Sequence, residues 1–250
     1  MRVRGLDFSS AKQSPFLPLV EGYVDGERLV IDEITIFRRH DRLFAAPKRQ
    51  SRDEVVLTGY DFPFGQSVEL ADRLSMPKTW NDFVLALPED REEWRRGLDG
   101  MRGQHKKGEK ECKRQTDALH RAAPASKTGR PAVGMMYWYG VKLLLGHEEP
   151  IFPVRAGDLR LGCVLEAYPA VFKRTISKSP SVGQILERLA QCGVEVGPAV
   201  LEATRIHPRR KMDIVDSVIC AYQAWDFHRS NPVWPTEMPT IFEGEIAVRR

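Results

Sequence analysis

Five acids in this chain occupy positions from which they could do chemistry together: Asp7, Asp61, Glu166, Asp213 and Asp216. Asp7 follows the segment Val3–Leu6, Asp61 follows VVLTGY, and Glu166 closes LGCVLE; small or turn-forming residues come soon after each. Ligands of α/β sheets bind outside the carboxyl ends of the strands, so acids that end separate strands can converge there. Asp213 and Asp216 are three residues apart at the head of KMDIVDSVICAYQAW, a spacing that puts both on one helical face. So many carboxylates in one place repel unless a cation binds them or some keep their protons. Oxygen-only ligands suit Mg2+ or Mn2+. Two such ions about 3.5–4 Å apart would activate a water and stabilise the leaving oxygen of an in-line phosphodiester displacement. Three of these acids also have a structural reading: Asp61 before Phe62-Pro63 as a turn former, and Asp213 as a helix N-cap with Asp216 in the first turn.

The elements that must position these acids follow from periodicity. Met1–Phe8, Phe16–Val24 and Leu29–Phe37 read as strands, the last two joined at Asp25-Gly26, which is a hairpin turn signal. The result is a three-stranded meander that starts with the aspartate strand. The polar stretch Arg38–Glu54 is expected to hold a helix or helical turn before the strand Val55–Tyr60. From Gln66 to Arg160 the pattern turns helical, with helices expected at Gln66–Leu74, Asn81–Leu87, Glu89–Met101 and Ala132–Leu145 around a polar, basic segment, Gly103–Arg130. That region reads as an insertion or cap that a compact α/β core does not require. Leu161–Glu166 returns to strand character, helices follow at Ser181–Cys192 and Ala199–Ile206, and Glu243–Ile246 is a candidate edge strand. Apolar residues cover most of the circumference of Lys211–Trp225, so this helix is expected to be buried.

At 250 residues, 42% of them hydrophobic, the chain has the length and composition of a globular protein with a sizeable core. No run approaches the ~20 apolar residues that span a bilayer, and MRVRGLDFSS lacks the apolar segment of a signal peptide. A cytoplasmic location without membrane association is the expectation. Cys112, Cys163, Cys192 and Cys220 are scattered with no CxxC pair, which argues against a zinc ribbon and suits reduced thiols. His105, Cys112 and His120 match no zinc spacing.

The formal net charge of +4 does not by itself imply nucleic acid, but the distribution of the cations is informative. Lys106, Lys107, Lys110, Lys113, Arg114 and Arg121 share one stretch, and Lys211 directly precedes the aspartate pair. Such runs commonly form a solvated face, yet cations beside carboxylates are what a phosphate-bearing substrate needs. Lys106, Lys107, Lys113, Arg114, Arg121 and Lys211 are therefore the candidate substrate-binding residues, with DNA or RNA as partner.

The order of an acid on strand one, a meander, an acid ending the fourth strand and a late helix opening D-x-x-D resembles the ribonuclease H-like superfamily, closest to its Holliday-junction-resolvase branch. In detail, GLDFSSAK, GYDFPFG, KRQTD, LEAYPAVF, DIVDSVICAYQAW and EGEI resemble the family of predicted nucleases called domain of unknown function 429, over Val3 to Ile246. Two features depart from that family: Glu245 stands where it more usually has Trp, and the segment after Phe172 lacks a lysine pair. The resemblance implies an α/β fold with a mixed five-stranded sheet, antiparallel meander plus parallel strands, flanked by helices. It implies a single domain over 1–250 with the insertion at 66–160. It further implies Mg2+ or Mn2+ ligands among Asp7, Asp61, Asp213 and Asp216, with Glu166 beside them as a fifth catalytic acid. Arg114 and Asp117 match an R-x-x-D element to which no role is assigned. The expected function is metal-dependent phosphodiester hydrolysis, with self-association left open. A non-catalytic nucleic-acid-binding module is the first alternative. An actin-like nucleotide phosphotransferase ranks below both, because no Gly-rich phosphate loop of that kind is present.

Overall fold

The computed structural model describes residues 1–46, 54–106, 110–159, 162–236 and 240–247. The meander forms β1 (Arg2–Asp7), β2 (Leu17–Asp25) and β3 (Arg28–Phe37). Its hairpin closes through Gly26-Glu27, with Gly26 at φ +58°, the left-handed backbone that glycine supplies at the first central position of a tight turn. A short helix α1 (His40–Phe44) precedes β4 (Val56–Asp61).

Five helices follow: α2 (Val68–Arg73), α3 (Trp80–Leu85), α4 (Arg91–Gly103), α5 (Gln115–Leu119) and α6 (Val133–Leu145). Their starts obey capping chemistry, with the hydroxyls of Ser67 and Thr79 accepting from the Leu70 and Asp82 amides. α5 lies inside the basic segment, where no helix was expected. The chain then forms β5 (Ile151–Phe152), β6 (Gly162–Glu166), α7 (Pro169–Arg174), α8 (Val182–Gln191), β7 (Val194–Val196), α9 (Pro198–Ile206), α10 (Lys211–Arg229) and α11 (Thr240–Glu243).

The fold is α/β, a mixed sheet flanked by helices. The sheet has seven strands where five were expected, in the order β5-β6-β4-β1-β2-β3-β7. The two additions are edge strands of two and three residues, too short to show the alternation by which strands are recognised. β2 is antiparallel to both neighbours and the other pairings are parallel. The tail forms no strand among the described residues. Ile246 makes a single parallel bridge to Glu166.

Alternation along the strands sorts the core into two layers. Leu6, Leu19 and Tyr60 face one side, where Phe83, Trp94, Tyr137 and Leu144 of the 66–160 region bury them. Val3, Val20, Leu57 and Leu165 face the other side, against α8, α9 and α10. The helices of 66–160 thus supply most of one of the two core layers. No helix among the described residues is long and apolar enough to cross a membrane.

Candidate active site: carboxylates where two strands meet a buried helix

Asp7 and Asp61 are in-register partners at the carboxyl ends of the parallel strands β1 and β4. Two residues before each, on the same face of the pleat, stand Gly5 and Gly59, also partners in register. These glycines let the α10 backbone lie directly on the sheet. A Cβ at Gly5 would come within 2.0 Å of the Ser217 carbonyl oxygen, and one at Gly59 within 2.2 Å of the Cys220 carbonyl oxygen. The rest follows from repeats: two residues along a strand advance about 6.6 Å, and four residues back along a helix retreat about 6 Å. Asp7 and Asp61 are two residues beyond the glycines, and Asp213 and Asp216 are four residues before Ser217 and Cys220. Both steps lead to the same end of the sheet, which is why the charges of Asp61, Asp216 and Asp213 all act on Asp7.

α10 is buried around nearly its whole circumference, as its apolar composition requires. It begins at Lys211 with Arg210 in the N-cap position and no side-chain cap, so Asp213 is not the N-cap. Its carboxylate pairs with Arg210 at 3.1 Å.

The electrostatics show the strain of this gathering. Burial, then the charges of Asp61, Asp216 and Asp213, hold the Asp7 carboxyl well above the usual carboxylate range. Burial and Asp216 push Asp61 up to about 7, with Lys173 and Asp7 working the other way. Burial also raises Asp213 and Asp216. Lys173 offsets part of the repulsion, its Nζ 2.8 Å from Asp216 Oδ2. Asp216 Oδ1 is buried without a hydrogen-bond partner.

Lys173 is the functional side chain that the sequence reading missed. α7 starts directly after β6 with Pro169 at its first position, the geometry proline favours. Gln223 of α10 fixes that start by accepting from the Tyr168 amide and donating to the Tyr168 carbonyl. A lysine one turn after a proline that follows a strand-end acid was the available signal.

Glu166 differs from the four aspartates in being paired with a buried arginine, though its charge still acts on Asp61. Its carboxylate takes a two-pronged contact from Arg114, at 2.6 and 2.7 Å, and accepts from the Phe64 amide at 2.8 Å. Arg114 in turn donates to Asp117 Oδ1 at 2.7 Å and to the Glu243 carbonyl. Arg114 is 2%, Asp117 0% and Glu166 3% exposed. Burial works against the Arg114 charge, yet Glu166 and Asp117 hold its proton more firmly than usual. Arg114 is therefore a structural cation and not a surface phosphate ligand, and Glu166 is its counter-ion. Together they tie β6, α5, the turn after β4 and the tail; this is the role of the R-x-x-D element. Of the other expected phosphate ligands, Lys106, Lys113, Arg121 and Lys211 are exposed. Lys107 lies outside the described residues.

A cleft of about 180 Å3 opens beside the acids, lined by Asp61, Arg114, Met136, Glu166 and Tyr168 among others.

The donor chemistry of the four aspartates fits a divalent cation, being oxygen only with one orphaned buried oxygen, Asp216 Oδ1. It is no ready-made cage: among the described residues, no three or more His, Cys, Asp and Glu are grouped as a metal site. Lys173 supplies cationic charge at Asp216. Comparison of the chain with protein-family models, with curated proteins and with solved structures found no match.

Proposed function

We propose that this chain is a divalent-metal-dependent nuclease of ribonuclease H-like architecture, similar to the family called domain of unknown function 429 and acting in the cytoplasm. The observation that carries the reading is the meeting of Asp7, Asp61, Asp213 and Asp216 from β1, β4 and α10, with raised carboxyl pKa values and an orphaned Asp216 oxygen. The antiparallel meander joined to parallel strands supports it, because that is the arrangement the motif resemblance implies.

Bound Mg2+ or Mn2+ would polarise a phosphoryl oxygen and make water a nucleophile near neutral pH. Asp7 and Asp61 are the groups to hold it, with Asp216 Oδ1 as the oxygen that gains most from a cation. Without a cation Asp61 is pushed up to about 7, and the charge of a cation held by Asp7 and Asp61 would bring it down, so that both carboxyls bind as carboxylates. As the water oxygen bonds to phosphorus and the bond to the leaving oxygen breaks, Lys173, beside Asp216, would offset negative charge on the phosphate. The exposed Arg121 and Lys211 would then hold the backbone on either side.

The test is a thermal-shift titration with Mn2+ followed by incubation with single-stranded, duplex and branched DNA and RNA. The expected result is a metal-induced rise in melting temperature, and cleavage of at least one substrate that Asp7→Asn abolishes. No shift and no cleavage would overturn the proposal. One observation favours a second reading, a nucleic-acid-binding module that does not cut: Lys173, 2.8 Å from Asp216, partly neutralises the acids without metal. Binding without a metal response would select it.

A further inference from the structure

The cleft beside the acids has a chemistry that phosphodiester hydrolysis alone does not require. It shares Asp61 with the carboxylate cluster, and Ala123, Pro131, Met136 and Tyr168 give it apolar and aromatic walls. Its deepest polar groups satisfy one another. All three Arg114 side-chain nitrogens donate to Asp117, Glu166 or the Glu243 carbonyl. Apolar and aromatic walls beside polar groups that are already paired suit a ring that stacks better than a ligand read through hydrogen bonds.

Cations stand at the rim. The Arg174 guanidinium lies 5.6 Å from the Tyr168 ring centroid and donates to the His120 carbonyl at 2.6 Å. Its neighbour Lys173 reaches Asp216, and exposed Arg121 precedes the cleft residues Ala122 and Ala123. The cations would meet a phosphate at the mouth, and the slot would meet the ring attached to it.

We propose that this cleft takes one unstacked nucleobase of the strand being cut, stacked against Tyr168, with the adjoining phosphate at the Arg174 rim. This rests on the nuclease reading and narrows its substrate to single-stranded or locally melted nucleic acid, since a paired base must leave its duplex to enter.

The experiment measures the affinity of the full chain for a short single-stranded oligonucleotide in EDTA, which halts cutting. An abasic residue is moved through the oligonucleotide one position at a time. The expected result is a loss of about tenfold at one position and little elsewhere, the scale of one base–aromatic stack. Tyr168→Ala should weaken the intact oligonucleotide to the same degree and erase the abasic penalty, and Tyr168→Phe should restore both. Ala123→Trp, which fills the slot from a loop, should act like Tyr168→Ala. A flat abasic scan with normal binding would overturn the cleft proposal and leave the nuclease reading standing. No binding of any oligonucleotide, with or without Mn2+, would overturn both. A melting temperature like that of the wild type in Ala123→Trp shows that its effect is local; if it unfolds, the Tyr168 pair and the abasic scan decide.

Discussion

Gly5 on β1 and Gly59 on β4 are in-register partners that each lie against an α10 carbonyl, a Cβ at either coming within 2.0 and 2.2 Å of the Ser217 and Cys220 oxygens. The neighbours are backbone atoms of a buried helix and cannot swing aside. Gly5→Ala or Gly59→Ala should therefore destabilise the chain by about 1–3 kcal/mol or more, the range of overpacked cores. Urea denaturation measures this. The same variants should also weaken the Mn2+-induced shift, because a displaced α10 carries Asp213 and Asp216 away. A midpoint equal to that of the wild type would show that the contact is not tight.

Asp7→Asn should raise the melting temperature in EDTA, by a margin that grows with pH. Asp7 and Asp61 hold protons in the folded chain to higher pH than in the unfolded chain, where they ionise near 3.8. Between that value and about 7, where Asp61 titrates, the folded state binds more protons. Stability from these groups is thus lost as pH rises through that window. The variant lacks part of that loss, so melting curves from about pH 5 to about pH 8 should separate. Mg2+ should recover the wild type alone. Parallel curves at every pH would make Asp7 an unstrained acid.

Arg114→Met should cost about 3–5 kcal/mol, because it strands Glu166 and Asp117 as buried, uncompensated acids. Denaturant unfolding reads the loss. Any nucleic-acid binding by the folded fraction should keep its salt slope, since the Arg114 nitrogens are already paired with Asp117, Glu166 and the Glu243 carbonyl. By contrast, joint replacement of the exposed Lys106, Lys113 and Arg121 by Ala should flatten that slope if these side chains meet phosphates. An unchanged slope would return them to a solvated face.

Lys173→Met should act in opposite directions on two measurements. Without metal, Asp216 loses its 2.8 Å partner and the aspartates repel more, so the melting temperature in EDTA should fall. With metal, a competing cation is gone, so the Mn2+ concentration at half-maximal shift should also fall. If the variant needs more Mn2+ than the wild type, Lys173 does not compete for Asp216.

The sequence by itself determined the strand-end acids, the meander and the buried helix, because each is written in local periodicity: alternation along strands, a hairpin glycine, and apolar residues all round Lys211–Trp225. It also carried an unread sign of the close helix–sheet contact, since a glycine within a strand often marks another backbone nearby. Only the tertiary structure decided which charges meet. Asp7 with Asp61 across two strands, Lys173 with Asp216, and Arg114 with Glu166 are pairings between residues far apart in the chain, and no local pattern reports a partner at such a distance. Glu166 resembled Asp61 in sequence, each an acid ending an apolar strand, yet Arg114 neutralises one while the other is left among aspartates. The short edge strands β5 and β7 were hidden for the same physical reason: strands of two or three residues exist because a neighbour offers them hydrogen bonds, not because their own sequence demands it.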